Sequence, residues 1–228
     1  MTCPLCTSHD LRRGRSDYAF CRRCGLAISW ALTPQKVETQ VYNDPDYYQK
    51  AGYCSPGFEA HYGVFAKILN ERLAPESAIM EIGCGIGSLL SHLKTMGHGV
   101  VGYDLSPHAQ RLAKERYGVD VVLGNAERDP LPMVTGGTEG MLPRFHCVIL
   151  SHTLEHFFHP VETMQKVADT ILAGGWWFNI MPDLDQDGGI LGHVKPWEHV
   201  CLWGRQQVEH LGELIGMEMV DHYQRTSS

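Results

Sequence analysis

From Ala78 onward, short apolar runs alternate with stretches whose apolar residues recur every three to four positions, and glycine or proline marks most of the changeovers. "AIMEIG" (78–83) reads as a buried strand, and Ser88 to Met96 reads as a helix with Leu89, Leu90, Leu93 and Met96 on one face, closed by Gly97. "GVVGYD" is a second strand. Ser106 then caps a helix with Pro107 in its first turn, where proline's missing amide proton has no helical partner to lose. "VDVVLG" and "FHCVILS" are strands three and four, separated by a loop rich in glycine, proline and threonine between Asp129 and Arg144. Pro160 opens a helix that presents Val161, Met164, Val167, Ala168, Ile171 and Leu172 and ends at Gly174 and Gly175; "WWFNIM" is strand five. A helix over 206–215 and a sixth strand, "MEMVDHY", complete the series. Short strands that are almost wholly apolar imply a parallel sheet covered on both faces, so the fold class is an open, doubly wound, mostly parallel α/β sheet. Ligands of such sheets sit beyond the carboxyl ends of the strands, where strand order reverses.

Ahead of this domain, Cys3, Cys6, Cys21 and Cys24 form two C-x-x-C pairs, whereas Cys54, Cys84, Cys147 and Cys201 are scattered. Two such turns face to face supply four thiolates for a tetrahedral zinc, which leaves no open position for water and so makes the metal structural. The expected organisation is a zinc ribbon at 1–32, a linker or lid at 33–57 containing the tyrosine-rich "VYNDPDYYQKAGYCSPGF", and the main domain at 58–228. Phe58, Tyr62, Phe65, Leu69 and Leu73 open that domain with helical spacing. Net charge is −7, yet residues 1–30 carry five arginines against two aspartates, a basic unit on an acidic body. An acidic body argues against a nucleic-acid substrate, although the basic unit keeps one open. No apolar run approaches a membrane span and the N-terminus lacks a secretory pattern, so a cytoplasmic protein is expected.

Gly83, Gly85 and Gly87 stand at alternate positions two residues behind Glu81. A dinucleotide loop spaces its glycines G-x-G-x-x-G and sets a pyrophosphate at the helix N-terminus. A carboxylate just before the turn is poorly placed beside a diphosphate and well placed beside an ammonium group. The missing Cβ atoms let a ligand approach the backbone closely.

"EIGCGIGSLL", "GYDLSP", "GNAERDPLP" and "LSHTLEHFFHPVETMQKVADTILAGGWWFNIMP", spanning roughly residues 55–223, resemble the successive motifs of class I S-adenosylmethionine-dependent methyltransferases, in particular the small-molecule branch with the ubiquinone-pathway O-methyltransferases. The four-cysteine module resembles that of deoxysugar C-methyltransferases and of certain ribosomal-RNA guanine methyltransferases. The resemblance implies a Rossmann-like methyltransferase fold with S-adenosylmethionine as cofactor. It places Glu81, Gly83 and Gly85 around the methionine moiety, Asp104 on the ribose hydroxyls, Leu105 on the adenine, Asn125 and Ala126 at the adenine edge, and Ser151 with His152 beside the methionine amine. Asp104 and Asn125 also suit a plainer role, capping the loops that follow their strands.

Methyl transfer to a hydroxyl or an acidic carbon needs a base, and histidine titrates near neutrality. His152 and His199 are the candidate catalytic residues; Glu155, His156 and His193 lie close to them in sequence, and Glu155-His156 suits bracing as well as substrate contact. Trp197 and Trp203 either wall an acceptor or pack their loop, and Tyr47, Tyr48 and Tyr53 either close over the cofactor or serve as a hinge. The expected function is methylation of a small-molecule biosynthetic intermediate at oxygen, carbon or nitrogen. An RNA methyltransferase gripping its target with the basic unit, a non-catalytic cofactor-binding scaffold, and a nicotinamide oxidoreductase are the alternatives. The family's antiparallel seventh strand is expected to be missing, because the sequence ends at "QRTSS" soon after strand six; the bare edge then invites a homodimer.

Overall fold

The computed structural model describes residues 1–14, 17–38, 44, 46–50, 52–132, 144–184 and 195–221. An antiparallel meander comes first: β1 (Leu11–Arg13), β2 (Tyr18–Cys21) and β3 (Ala27–Ser29). Two short helices, α1 (Pro34–Val37) and α2 (Tyr47–Lys50), lead to α3 (Pro56–Asn70), capped by Ser55, whose side chain accepts from the Phe58 amide. The α/β series follows as β4 (Ala78–Ile82), α4 (Ser88–Thr95), β5 (Gly99–Asp104), α5 (Pro107–Tyr117), β6 (Val121–Leu123), β7 (Phe145–Ser151), a 3-10 turn over Leu154–His156, α6 (Pro160–Asp169) and β8 (Ile171–Ile180). The chain ends its described course with β9 (Cys201–Leu202) and α7 (Arg205–Leu214).

The main sheet has the order β6-β5-β4-β7-β8, and all its pairs are parallel. The first strand in sequence therefore lies in the middle, and connections leave it in opposite directions, which opens a crevice at the carboxyl ends of β4 and β7. Alternation along the strands divides the core in two. Ile79, Cys147 and Ile149 pack with Leu69 of α3 and Leu90 and Leu93 of α4, while Met80, Ile82, Val148 and Leu150 pack with Met164, Val167, Trp203 and Leu211. Cys3, Leu5, Leu26 and Ile28 of the N-terminal unit belong to this second core.

The unit is joined to the rest by hydrogen bonds as well. Strand β9 pairs antiparallel with β3, Ala27 facing Leu202 and Ile28 facing Cys201, so one small sheet is built from both ends of the chain.

Two expectations change. Ile171 and Leu172 belong to β8 and not to the preceding helix: they continue the apolar spacing of α6, but the chain has already turned at Thr170, and a bulge between the Phe145–Ile171 and Cys147–Trp176 pairs, with Gly174 at φ 78°, absorbs the extra residues. The sixth strand is not formed by Met217–Asp221: Gly216 at φ 74° ends α7, the Met217 amide turns back to the Gly212 carbonyl at 2.8 Å, and Asp221 pairs with Arg72. His222, Tyr223 and the "QRTSS" segment lie outside the described residues, as do most of the 129–144 loop and His193.

Gly102, in the middle of β5, leaves room for the glycine-rich turn to pack on the sheet: a Cβ there would meet Cys84 Sγ at 2.5 Å and Val121 Cγ2 at 2.9 Å. Gly99 on the same strand has its nearest neighbour at 4.0 Å. Gly102→Ala is expected to lower stability by about 1–3 kcal/mol, with Gly99→Ala nearly neutral, as read from urea denaturation midpoints.

Candidate active site

The crevice is a cleft of about 1070 Å³ including its open mouth, floored by the turn after β4 and the ends of β5 and β7. Glu81, the fourth residue of β4, is 2% exposed, and its Oε2 has no hydrogen-bond partner. Burial, and then the neighbouring Asp104 charge, push its carboxyl well above the ordinary carboxylate range. Gly83 and Gly85 follow in the left-handed region at φ 67° and 52°. At Gly83 a Cβ would fall 2.3 Å from Thr153 Oγ1, a hydroxyl already donating to the Ile82 carbonyl at 3.0 Å. At Gly85 it would meet Tyr48 Cε1 at 3.2 Å. Only glycine lets these three segments approach so closely.

Asp104 ends β5 beside this turn. Its Oδ2 accepts from the Gly85 amide and its Oδ1 from the Ser106 amide, both at 2.8 Å; burial raises its carboxyl pKa, opposed by these amides. Leu105, Ala126, Ser151 and His152 line the cleft as well, and Ser151 Oγ donates to Tyr62 Oη at 3.4 Å. Asn125 also lines it, but its Oδ1 accepts from the Glu127 amide at 2.9 Å and its Nδ2 donates to Glu38 Oε1 at 3.2 Å. The side chain thus braces its own loop and the α1 segment. Tyr47, Tyr48 and Tyr53 come over the cleft from the linker, where Phe157 and Phe158 also border it.

The histidines separate. His152 lines the cleft in a left-handed conformation, φ 53°, held there by its amide on the Ile180 carbonyl at 2.7 Å; such a backbone costs a non-glycine residue about 1–3 kcal/mol. Its Nδ1 stands 3.5 Å from Glu155 Oε1, an ion-pair separation too long for a well-formed hydrogen bond. Both Glu155 oxygens lack hydrogen-bond partners; burial pushes that carboxyl up, but the imidazoles of His152, His156 and His199 outweigh it and hold it below the usual range. His199, the other candidate base, does not border the cleft. It is 3% exposed, its ring stacks edge-on against His156 at 5.1 Å, and burial, with His156 next, lowers its pKa to about 4. His199 is neutral at pH 7 and lies behind His156, which does reach the cleft. Glu155, His156 and His199 can bring one ligand atom each within 4.8 Å of one another, a grouping able to hold a cation.

Neither tryptophan borders the cleft: Trp203 is wholly buried in the second core and Trp197 is exposed. Tyr62 and Thr153, not singled out from the sequence as site residues, do border it. Tyr62 lies on the apolar face of α3 and carries no separate signal; Thr153 matters only because Gly83 is folded against it.

The four N-terminal cysteines converge. Cys3 Sγ is 3.6 Å from Cys24 Sγ and Cys6 Sγ 3.5 Å from Cys21 Sγ, and all four sulfurs lie within 4.8 Å of one another. These separations are far beyond a disulfide bond and near the edge of about 3.8 Å expected for four sulfurs around one zinc. No helix among the described residues is long and apolar enough to cross a membrane.

Known proteins share this architecture. The chain is 20% identical to a protein of Pyrococcus horikoshii OT3 whose crystal structure superposes with a TM-score of 0.57, over 74% of this chain and 88% of that one. A Haloferax volcanii methyltransferase solved in complex with the Trm112 methyltransferase activator gives a TM-score of 0.57 at 14% identity, over 78% and 77%. In sequence, 104 residues are 28% identical to a ubiquinone biosynthesis O-methyltransferase of Nitrosomonas europaea, covering 45% of this chain and 43% of that protein, so the chain spans less than half the length of that curated relative. Residues 59–222 match the sequence profile of a methyltransferase domain, and with the parallel sheet and glycine-rich cleft described above the chain belongs to that family.

Proposed function

We propose that the chain is an S-adenosylmethionine-dependent methyltransferase acting on a small molecule, and that the acceptor atom is a hydroxyl oxygen. One observation carries the reading: a buried carboxyl, Glu81, has an oxygen without a hydrogen-bond partner and stands behind a turn that leaves no room for a Cβ at Gly83 and little at Gly85, both in the left-handed region. The amino-acid end of S-adenosylmethionine supplies a cation for that carboxylate, and the vicinal diol of its ribose suits Asp104, which can accept two hydrogen bonds. The cofactor, when bound, supplies a methyl group already activated by a sulfonium.

The chain's own residues then align the acceptor and keep water out. Tyr47, Tyr53, Tyr62, Phe157 and Phe158 give the cleft an aromatic border, which favours a small apolar acceptor over a polyanion. His152 takes the acceptor's proton: with Nδ1 turned to Glu155, Nε2 is left as the basic nitrogen, and the carboxylate stabilises the imidazolium that forms. The oxygen assignment leans on the names of the ubiquinone biosynthesis O-methyltransferases from Nitrosomonas europaea and Schizosaccharomyces pombe, the latter 31% identical over 99 residues. In the N-terminal unit, Cys3, Cys6, Cys21 and Cys24 hold one structural zinc, since four thiolates fill its coordination sphere.

Isothermal titration with S-adenosylhomocysteine tests the cofactor assignment. Asp104→Ala is expected to weaken binding by at least about a hundredfold, as two charge-assisted hydrogen bonds at roughly 1.5–3 kcal/mol each are lost; unchanged affinity would refute the ribose role. Because the raised Glu81 pKa favours the protonated carboxyl in the empty protein, and a bound ammonium favours the carboxylate, binding should release a proton. Affinity should therefore rise with pH until Glu81 is ionised in the free protein, and Glu81→Gln should remove that slope. Native mass spectrometry should find one zinc per chain and none in Cys21→Ser.

A further inference from the structure

Between the four-cysteine unit and the cleft runs a buried strap, residues 198–202, each at most 4% exposed and hydrogen-bonded or paired to both neighbours in turn. On the unit's side, Tyr18 Oη donates to the His199 carbonyl at 2.9 Å, the Ser29 amide donates to the Val200 carbonyl at 2.8 Å, and Cys201 and Leu202 pair with Ile28 and Ala27. On the cleft side, the Val200 amide donates to the Glu155 carbonyl at 2.8 Å. The Glu198 carbonyl lies 2.9 Å from His156 Nδ1, and a carbonyl can only accept, so Nδ1 carries a proton, which selects the Nδ1-protonated tautomer of the neutral ring. The Glu198 carboxylate holds the linker: Oε2 accepts from Tyr47 Oη at 2.9 Å, and Oε1 pairs with Lys195 Nζ at 2.7 Å. Beyond the strap, Gln207 Nε2 donates to the Cys24 carbonyl at 2.7 Å, against Gly25, where a Cβ would come within 2.9 Å of that nitrogen.

We propose that the four-cysteine unit is a working part of the acceptor side of the active site, with Tyr18 and Glu198 as positioning residues: the metal orders the strap, and the strap sets the tautomer of His156 and the place of Tyr47. Leu26 and Ile28 lean on the large core, but the face of the meander that carries Tyr18, Ala27 and Phe20 has only Leu202 and Leu184 to pack on, too little to order strands of three or four residues without a cross-link. If the sulfurs lose their metal, β2 and the turn into β3 loosen, and the strap loses the Tyr18 bond and a well-ordered β3 edge. His156 and Tyr47 then lose their fixed bonds, although neither touches the unit. Glu81, Gly83, Gly85 and Asp104, the cofactor half of the cleft, stand on the main sheet and its turns; the linker reaches them through Tyr48, the neighbour of Tyr47 on α2, which packs against Gly85.

The inference rests on the zinc reading above, and hydrogen exchange with imidazole nitrogen-15 spectroscopy on the full-length chain tests it. Removing zinc with a chelator, or Cys21→Ser, should speed exchange of the Ser29, Val200 and Leu202 amides at least a hundredfold and convert His156 from one Nδ1-protonated form to a mixture. The Kd for S-adenosylhomocysteine should stay within about threefold. Should the metal-free chain unfold, Tyr18→Phe, which removes one hydroxyl and keeps the ring, is expected to speed Val200 exchange about tenfold and shift the His156 nitrogen resonances with zinc still bound. Strap amides and His156 resonances that do not respond to either change would overturn the proposal, as would a chain that takes up no zinc. Failure to bind S-adenosylhomocysteine at all would instead count against the methyltransferase reading and leave the exchange result standing.

Discussion

The carboxylate of Asp104 ties together the two turns on which the cleft depends. One oxygen holds the Gly85 amide of the turn after β4, and the other holds the Ser106 amide that begins the cap of α5. Because β4 and β5 are parallel neighbours, their carboxyl ends lie side by side, and a single short side chain can reach both turns. The cleft is preformed as a result. The strand order places it at the switch point, Gly83 and Gly85 strip it of side chains, and Asp104 keeps the stripped turn from collapsing.

That arrangement conflicts with stability. Glu81 and Asp104 are both buried, each disfavours ionisation of the other, and no basic side chain is bonded to Glu81 Oε2. An uncompensated buried charge costs several kcal/mol, more than the roughly 1.5–3 kcal/mol gained by burying a leucine. Burial and the neighbouring Asp104 both push the Glu81 carboxyl towards its protonated form, which eases the conflict. A ligand bearing an ammonium group relieves it differently, by making the ionised form the favoured one. In the proposed reading, a site that resists its own charge until a cation arrives favours an ammonium-bearing ligand over a diphosphate.

Much of the main sheet was legible in the sequence because its signals are local. Strands β4, β5 and β7 are continuous apolar runs, and the Ser106-Pro107 start of α5 is chemistry confined to two residues. Where the local signal misleads, a tertiary contact has overruled it. Ile171 keeps helical spacing with Met164 and Val167, yet it pairs with Phe145 in the sheet. Asn125 lines the cleft at the position that the family motif implies, and it serves the plainer role as well: its oxygen closes an Asx turn on Glu127, while its amide nitrogen reaches Glu38, a contact the sequence does not show. His199 looked like a base by its place after strand five, and only the fold shows that His156 stands between it and the cleft. The two residues of β9 are too short to show any period, and they pair with a strand more than 170 positions away.

The same limit explains why the tie between the cysteine unit and the cleft is invisible in one dimension. A zinc ribbon reads as a separate module because its ligands fall within 25 residues, and a module is expected to work apart from the domain it precedes. Here the unit's third strand finds its partner more than 170 residues on, at Cys201–Leu202, three residues after Glu198, whose carbonyl is bonded to His156 and whose carboxylate is bonded to Tyr47. Loop-closure entropy grows only slowly with loop length, so a contact between distant segments is affordable once both are ordered by other means. In the proposal above, the four-cysteine site orders one segment and the main sheet orders the other. The strap between them is then stabilised from both sides, and His156, which borders the cleft, is bonded to a carbonyl that belongs to neither module alone.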